Sequence, residues 1–229
     1  MKFVSAPSTP LNSIKIFGER HTSTNAISKF IKINFDLKHL DYSFLGWKHR
    51  MAPSATEWQK FDLTHTLIIV TTRNPYTWLK AMHREPYNQH MPSLKGLPFE
   101  IFLRHSFEDY ENIIAMWNMK YSAYLKFVHE VPHALIVKAE ELCFNPNGLS
   151  TAIKKVVGED GRHKEVEIVD YYMGGFGKSK SKEFHKDLKD MPNYSERELK
   201  LINNLLDSDL MAKLGYEFKH CENIKRCID

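Results

Sequence analysis

A strand, a hydroxyl-rich turn and a helix are predicted within residues 14–30, and this pattern constrains the fold more than any other. Residues 14–17 read Ile-Lys-Ile-Phe, the strand breaks at Gly18, and Ser23 or Thr24 can cap the helix. The apolar face of that helix consists of Ile27, Phe30 and Ile31. Amides at a helix start, with the helix dipole, attract anions. The segment predicts an anion-binding turn beside Arg20; a turn without a ligand is the alternative.

A second strand that is followed directly by a helix is predicted in residues 66–82. It begins with an apolar run of the kind that is buried on both faces of a parallel sheet. Arg73 follows that run, Asn74 can cap the next helix, and Pro75 suits its first position. Because ligands of open α/β sheets bind at the carboxyl ends of strands, we expect Arg73 at a binding edge.

Together the two segments resemble the sulfotransferase family, which transfers a sulfuryl group from 3′-phosphoadenosine 5′-phosphosulfate (PAPS) to an acceptor. In that family a Lys/Arg-x-Gly-Thr/Ser-Thr turn binds the 5′-phosphosulfate. The similar residues in this chain are Arg20, His21, Thr22, Ser23, Thr24 and Asn25. A family strand that ends in Arg-Asn-Pro binds the 3′-phosphate, and Arg73 begins that tripeptide here. Residues 139–142 and 206–216 are similar to two further family segments.

The resemblance implies a three-layer α/β fold with a mainly parallel central sheet flanked by helices, the P-loop NTPase-like sulfotransferase fold. It also implies catalytic roles. Arg20 stands in the place of the family's catalytic lysine and would stabilise charge on the bridging and 5′-phosphate oxygens. Lys48 and His49 resemble a Lys-Thr-His-x-Pro segment at the end of the second strand, so Lys48 would contact the sulfuryl oxygens and His49 would act as the base. His21 is the rival base, and a surface turn is the alternative for residues 48–49.

A late glycine-containing basic loop of the family closes over the 3′-phosphate, which implies the same role for Lys178 and Lys180. A solvated mobile loop is the alternative there. The chain also departs from the family pattern. Thr22 replaces the glycine of the turn, whereas Asn25, Ala81 and Ala139 replace an aromatic residue, a serine and a tyrosine that contact the nucleotide.

Length, composition and charge limit the classes of protein to which this chain can belong. With 229 residues, 42% hydrophobic and 26% charged, we expect a single domain over residues 1–229 with residues 1–12 as a loose lead-in. The absence of a long apolar run and of a leader predicts a cytoplasmic protein without a membrane partner. His220, Cys221 and Cys227 fit none of the usual zinc-binding spacings, so no metal site is expected. A net charge of +4 suits an anionic nucleotide as well as nucleic acid, but the motifs favour PAPS, with a small-molecule or sugar acceptor and no nucleic acid.

Two other functions stay open. A nucleotide kinase or NTPase would use a similar turn, but a Walker A motif needs glycine and lysine where Ser23 and Thr24 stand. No acidic residue ends a predicted strand to hold magnesium. The departures at Thr22 and Asn25 also allow a non-catalytic nucleotide-binding protein on the same fold.

Spacing predicts the remaining elements. A second strand is expected within residues 35–47, ending near residues 46–50, and another within residues 134–138. Apolar residues at spacings of three and four predict a long helix over residues 107–128, capped by Ser106. A capping box of Ser195 and Glu198 predicts a further helix.

Overall fold

The computed structural model describes residues 10–86, 91–158 and 192–220. The strands are β1 (Ser13–Gly18), β2 (Lys38–His39), β3 (Thr66–Thr72) and β4 (Ala134–Lys138). The first helices are α1 (Thr24–Asn34), α2 (Ala55–Trp58), α3 (Pro75–Arg84), α4 (Phe99–Arg104) and α5 (Ile113–Glu130). The later ones are α6 (Ala139–Phe144), α7 (Pro146–Val157), α8 (Glu196–Leu205) and α9 (Ser208–Leu214). A short 3₁₀ helix spans Pro92–Leu94.

The four strands form one sheet in the order β2-β1-β3-β4, and every neighbouring pair is parallel. The α/β class with a parallel central sheet flanked by helices is therefore confirmed. β1 and β3 run in register from Ser13 opposite Thr66 to Gly18 opposite Thr71. Their carboxyl ends consequently lie side by side, and the turns that follow them begin at the same edge of the sheet.

Apolar residues of β1 and β3 hold helices against both faces of the sheet. On one face, Ile14 and Ile16 belong to a buried cluster with Ile27 and Phe30 of α1. On the other, the Phe17 ring lies 5.9 Å from the ring of Phe127 in α5. Burial of each such side chain contributes roughly 1.5–3 kcal/mol, so the start of α1 is firmly fixed at the carboxyl edge.

The chain divides into two compact units: Met1–Arg73 with Tyr124–Lys189, and Asn74–Ala123 with Asp190–Asp229. The sheet belongs to the first unit. In the second, the Lys80 ammonium lies 3.5 Å from the centre of the Phe99 ring and 4.5 Å from that of Tyr194. The predicted capping box of Ser195 and Glu198 at the start of α8 is confirmed there. The prediction of a single domain stays a prediction.

Two element boundaries differ from the sequence-based expectation. The second strand covers only Lys38–His39, so residues 48–49 do not lie at its end as predicted. The helix expected from Ser106 begins at Ile113 instead, because Asn112 Oδ1 accepts hydrogen bonds from the amides of Ile114 and Ala115 and caps it. Within the described ranges, no helix combines the length and the apolar character needed to cross a membrane.

Candidate anion-binding site

Gly18 ends β1 at a point where only glycine fits. Its φ is +149°, and a Cβ atom there would lie 2.0 Å from Thr71 Oγ1 and 2.7 Å from the Thr71 carbonyl oxygen. A side chain would therefore collide with the backbone of β3 as well as with a side chain. The missing Cβ lets the turn after β1 start in direct contact with the end of β3.

The turn itself is held by buried hydrogen bonds. Glu19 is 1% exposed, and its carboxylate accepts from the Arg20 amide at 2.7 Å. Thr22 is fully buried; its hydroxyl donates to the Glu19 carbonyl at 2.6 Å and lies 2.7 Å from Thr71 Oγ1. The Thr22 side chain thus points toward β3. Its hydroxyl fastens the turn to the sheet.

The backbone of the turn alternates in handedness. His21 and Ser23 have φ values of 63° and 70°, in the left-handed region, whereas Thr22 between them does not. Each such conformation costs a non-glycine residue about 1–3 kcal/mol and is typical of functional turns. Alternation of this kind is typical of backbone segments that bind anions through successive N–H groups. In this turn the Thr22 amide donates to the Glu19 carbonyl oxygen at 3.3 Å.

The start of α1 leaves a hydroxyl without a partner among the described residues. Ser23 occupies the N-cap position, but its side chain makes no capping bond, contrary to the expected role of this serine. Its Oγ is buried and lacks a hydrogen-bond partner in the described part of the chain. The Ile27 amide donates to the Ser23 carbonyl at 2.9 Å, so the amides of residues 24–26 have no partner within the helix. Thr24 is buried and Asn25 is exposed. As at other helix starts, these amides favour an anion near the turn.

Arg73 follows β3 and contacts this turn. The residue is 1% exposed, and its Nη1 donates to the His21 carbonyl oxygen at 3.3 Å. The structure thus brings the two sequence segments together at the carboxyl edge of the sheet. Arg20 is a half-buried residue of the same turn.

Lys48 and His49 reach the turn by pairing with Gly18. The Gly18 amide donates to the Lys48 carbonyl at 2.9 Å, and His49 Nδ1 lies 2.5 Å from the Gly18 carbonyl oxygen. Because a carbonyl oxygen only accepts, Nδ1–H is the donor in this bond, which leaves Nε2 as the acceptor nitrogen of the neutral imidazole. The Lys48 ammonium donates to Asn25 Oδ1, and burial lowers the pKa of Lys48. Both residues therefore lie at the turn, although neither lies at the end of β2.

Sequence reasoning missed Lys15, which lies in β1 and is 3% exposed. Its ammonium donates to the backbone carbonyls of Asp41 and Gly46, the latter at 2.8 Å. Burial lowers the pKa of Lys15 to about 8, an effect that the charge of Asp41 opposes and that of Arg50 reinforces. The sequence feature that could have identified this residue is a lysine within an otherwise apolar strand. Through its two hydrogen bonds Lys15 holds the segment after β2 near the site.

Lys178 and Lys180 lie outside the described residues. Among the residues that the structure describes, no group of three or more His, Cys, Asp or Glu side chains is placed to hold a metal ion.

No known protein family matches this chain, and no curated protein is significantly similar to it in sequence. What the site can do must therefore follow from its own chemistry.

Proposed function

We propose that this protein is a cytoplasmic PAPS-dependent sulfotransferase with the three-layer, P-loop NTPase-like sulfotransferase fold. It would transfer a sulfuryl group to a hydroxyl, or an amine, of a small-molecule or carbohydrate acceptor, without a metal ion. One observation carries the proposal: the turn before α1 and Arg73 meet at the carboxyl edge of two neighbouring parallel strands. The turn with Arg20 and the residue Arg73 would provide two positively charged positions at one edge of the sheet. These suit a donor that is phosphorylated at both its 5′ and 3′ positions.

The residues present fit such a donor. When bound, PAPS supplies a sulfuryl group whose bond to the 5′-phosphate breaks as the acceptor attacks sulfur, which leaves adenosine 3′,5′-bisphosphate. The amides of residues 24–26 and the buried Ser23 hydroxyl would hold the 5′ end. Arg73 would hold the 3′-phosphate, since a guanidinium recognises phosphate with parallel hydrogen bonds.

Arg20 would stabilise the charge that develops during transfer. A guanidinium stays protonated at any ordinary pH, so it acts by charge and hydrogen bonding and not as an acid. Groups that are fixed in advance toward developing charge make the largest contribution in comparable transfer reactions. The bond from the Arg20 amide to Glu19 fixes the backbone from which this side chain extends.

His49 would remove the proton from an acceptor hydroxyl. The Gly18 carbonyl fixes its Nδ1–H, so that Nε2 can accept the proton. A positioned base of this kind contributes about 10²- to 10⁴-fold in rate. Lys48, next to it, would contact the sulfuryl oxygens as a point charge.

Calorimetric titration with adenosine 3′,5′-bisphosphate and, separately, with ATP tests the proposal. We expect saturable binding of the bisphosphate and weaker binding of ATP, which lacks a 3′-phosphate. Arg104→Ala, which removes an exposed arginine outside the site, should bind like the wild type. Tight binding of ATP without binding of the bisphosphate would contradict the proposal and favour a kinase or NTPase.

A further inference from the structure

The turn that carries the proposed base follows β2, and three hydrogen bonds hold its backbone. The Arg50 amide donates to the Trp47 carbonyl oxygen at 3.2 Å and closes the turn. The Gly18 amide donates to the Lys48 carbonyl oxygen at 2.9 Å. The Tyr124 hydroxyl of α5 donates to the Arg50 carbonyl oxygen. The main chain on both sides of the proposed base is therefore fixed.

The hydrogen bond to Gly18 fixes the donor nitrogen of His49 more tightly than the plane of its ring. Nδ1 lies 2.5 Å from the Gly18 carbonyl oxygen. Because such a bond depends on its length and on the angle at the hydrogen, the imidazole can tilt about the N–H direction without losing it. Such a tilt moves Nε2, the atom that would accept the proton of an acceptor hydroxyl. The ring therefore needs a second contact to hold Nε2 in one place.

The indole of Trp47 provides such a contact to the His49 imidazole. The two ring centroids lie 5.1 Å apart, and the ring planes cross at 88°, an edge-to-face arrangement. Aromatic pairs favour this geometry at centroid distances of about 4.5–7 Å, because the positive edge of one ring meets the negative face of the other. Trp47 is half-buried, and the closed turn holds its backbone. The contact thus restricts the tilt that the bond to Gly18 allows.

We propose that Trp47 is a positioning residue, whose indole fixes the plane of the His49 imidazole and with it the direction of Nε2. The effect on sulfuryl transfer rests on the proposed function, but the restraint on the ring does not. One edge-to-face contact favours the held arrangement by roughly 2- to 10-fold. Trp47 acts through His49 and takes no proton itself, so its loss costs far less than the roughly 10²- to 10⁴-fold expected for loss of the base.

NMR of the histidine nitrogens in the full chain tests the restraint without any substrate. Long-range ¹H–¹⁵N spectra, at a pH where the ring is neutral, distinguish an Nδ1–H imidazole from an Nε2–H imidazole, and His49→Asn identifies the signals of His49. We expect the Nδ1–H form in the wild type and in Trp47→Phe, which keeps an aromatic ring. In Trp47→Leu the tilting ring should lose part of its bond to Gly18, so the Nε2–H form should rise roughly 2- to 10-fold.

Phe44→Leu is the matched control for the loss of an aromatic contact from the same segment. The Phe44 ring lies 4.9 Å from the Phe61 ring, and its replacement should leave the His49 signals unchanged. Identical His49 spectra of the wild type and Trp47→Leu would overturn the inference. An equal change in Phe44→Leu would overturn it as well, because the effect would then belong to the whole segment and not to the indole.

Binding and turnover separate this inference from the proposed function. In a sulfotransferase, Trp47→Leu should lower kcat roughly 2- to 10-fold and leave the affinity for adenosine 3′,5′-bisphosphate unchanged, whereas Trp47→Phe should keep most of kcat. A change of tautomer in Trp47→Leu, in a protein that does not bind the bisphosphate, supports the role of Trp47 and contradicts sulfuryl transfer. Binding of the bisphosphate without a change of tautomer overturns the inference and leaves the sulfotransferase proposal standing. A loss of kcat as large as that in His49→Asn would also overturn it.

Discussion

Arg73 donates a hydrogen bond from its buried guanidinium to the backbone carbonyl of His21, at 3.3 Å and across 52 residues of sequence. His21 is one of the two residues that the turn holds in the left-handed region. The bond therefore fastens a strained turn to the end of the neighbouring strand β3. A residue expected to bind phosphate also supports the geometry of the site.

Arg73→Ala should lower the free energy of unfolding by about 2 kcal/mol, because it removes a hydrogen bond from a charged donor and leaves the His21 carbonyl without it. Urea denaturation followed by circular dichroism measures the change. Arg104→Ala is the control, since that side chain is exposed and its carboxylate partner, Glu100, is 3.7 Å away. Equal effects of the two substitutions would contradict a supporting role for Arg73.

Gly18→Ala should destabilise the protein by about 3 kcal/mol or more, because overpacking and a disfavoured φ act together. Gly96→Ala separates the two causes: Gly96 also has a positive φ, +75°, but no atom lies within 4 Å of its would-be Cβ. Thermal unfolding of both variants gives the comparison. If Gly18→Ala costs no more than Gly96→Ala, the close approach of β1 to β3 is not essential.

His49→Asn should reduce turnover of PAPS by about 10²- to 10⁴-fold while leaving the affinity for adenosine 3′,5′-bisphosphate nearly unchanged. The asparagine amide can replace Nδ1–H as the donor to Gly18, but it cannot accept a proton as Nε2 does. His49→Ala, which removes both functions, should in addition weaken the turn. Release of the bisphosphate measures turnover, and calorimetry measures affinity. Parallel loss of both in His49→Asn would show that the role of His49 is structural.

Lys15 should make the stability depend on pH between about 8, its pKa in the folded protein, and 10.5, the ordinary pKa of a lysine. In that range the unfolded chain binds more protons at Lys15, so the free energy of unfolding rises with pH. Below pH 8 the charged lysine is buried at its full cost. We expect Lys15→Met to show a smaller rise in stability from pH 8 to 10 than the wild type in urea denaturation. Lys29→Met, at an exposed position of α1, controls for loss of a charge; a wild-type slope in Lys15→Met would contradict this account.

The segments in which a strand is followed by a helix could be predicted, because the sequence patterns that indicate them are local. The apolar run before Arg73 and the Asn74-Pro75 pair predicted β3 and the start of α3, and Asn74 Oδ1 does accept from the Tyr76 amide at 3.0 Å. The helix start near Ser106 was misplaced because Asn112 offers an equally good cap closer to the continuous helix.

The side-chain partners within the site could not be predicted, because they depend on contacts distant in sequence. Thr22 bonds Thr71 only once β1 and β3 lie in register. His49 bonds the Gly18 carbonyl only once the segment after β2 lies beside the end of β1. Lys15 looked like one polar residue in an apolar strand, and its carbonyl partners come from a segment without regular structure. The sequence predicted which residue types lie at the carboxyl edge of the sheet. It did not predict which of these residues form hydrogen bonds with one another.

We propose that Arg73 and the turn before α1 form one site for a nucleotide that is phosphorylated at both its 5′ and 3′ positions. Calorimetric affinities for adenosine 3′,5′-bisphosphate and adenosine 5′-phosphate, in wild type and Arg73→Ala, test it most directly. We expect the wild type to prefer the bisphosphate by about tenfold or more, the effect of a charged hydrogen-bonded contact, and Arg73→Ala to lose this preference. Equal affinities of the wild type for both nucleotides, or a preference that survives in Arg73→Ala, would contradict it.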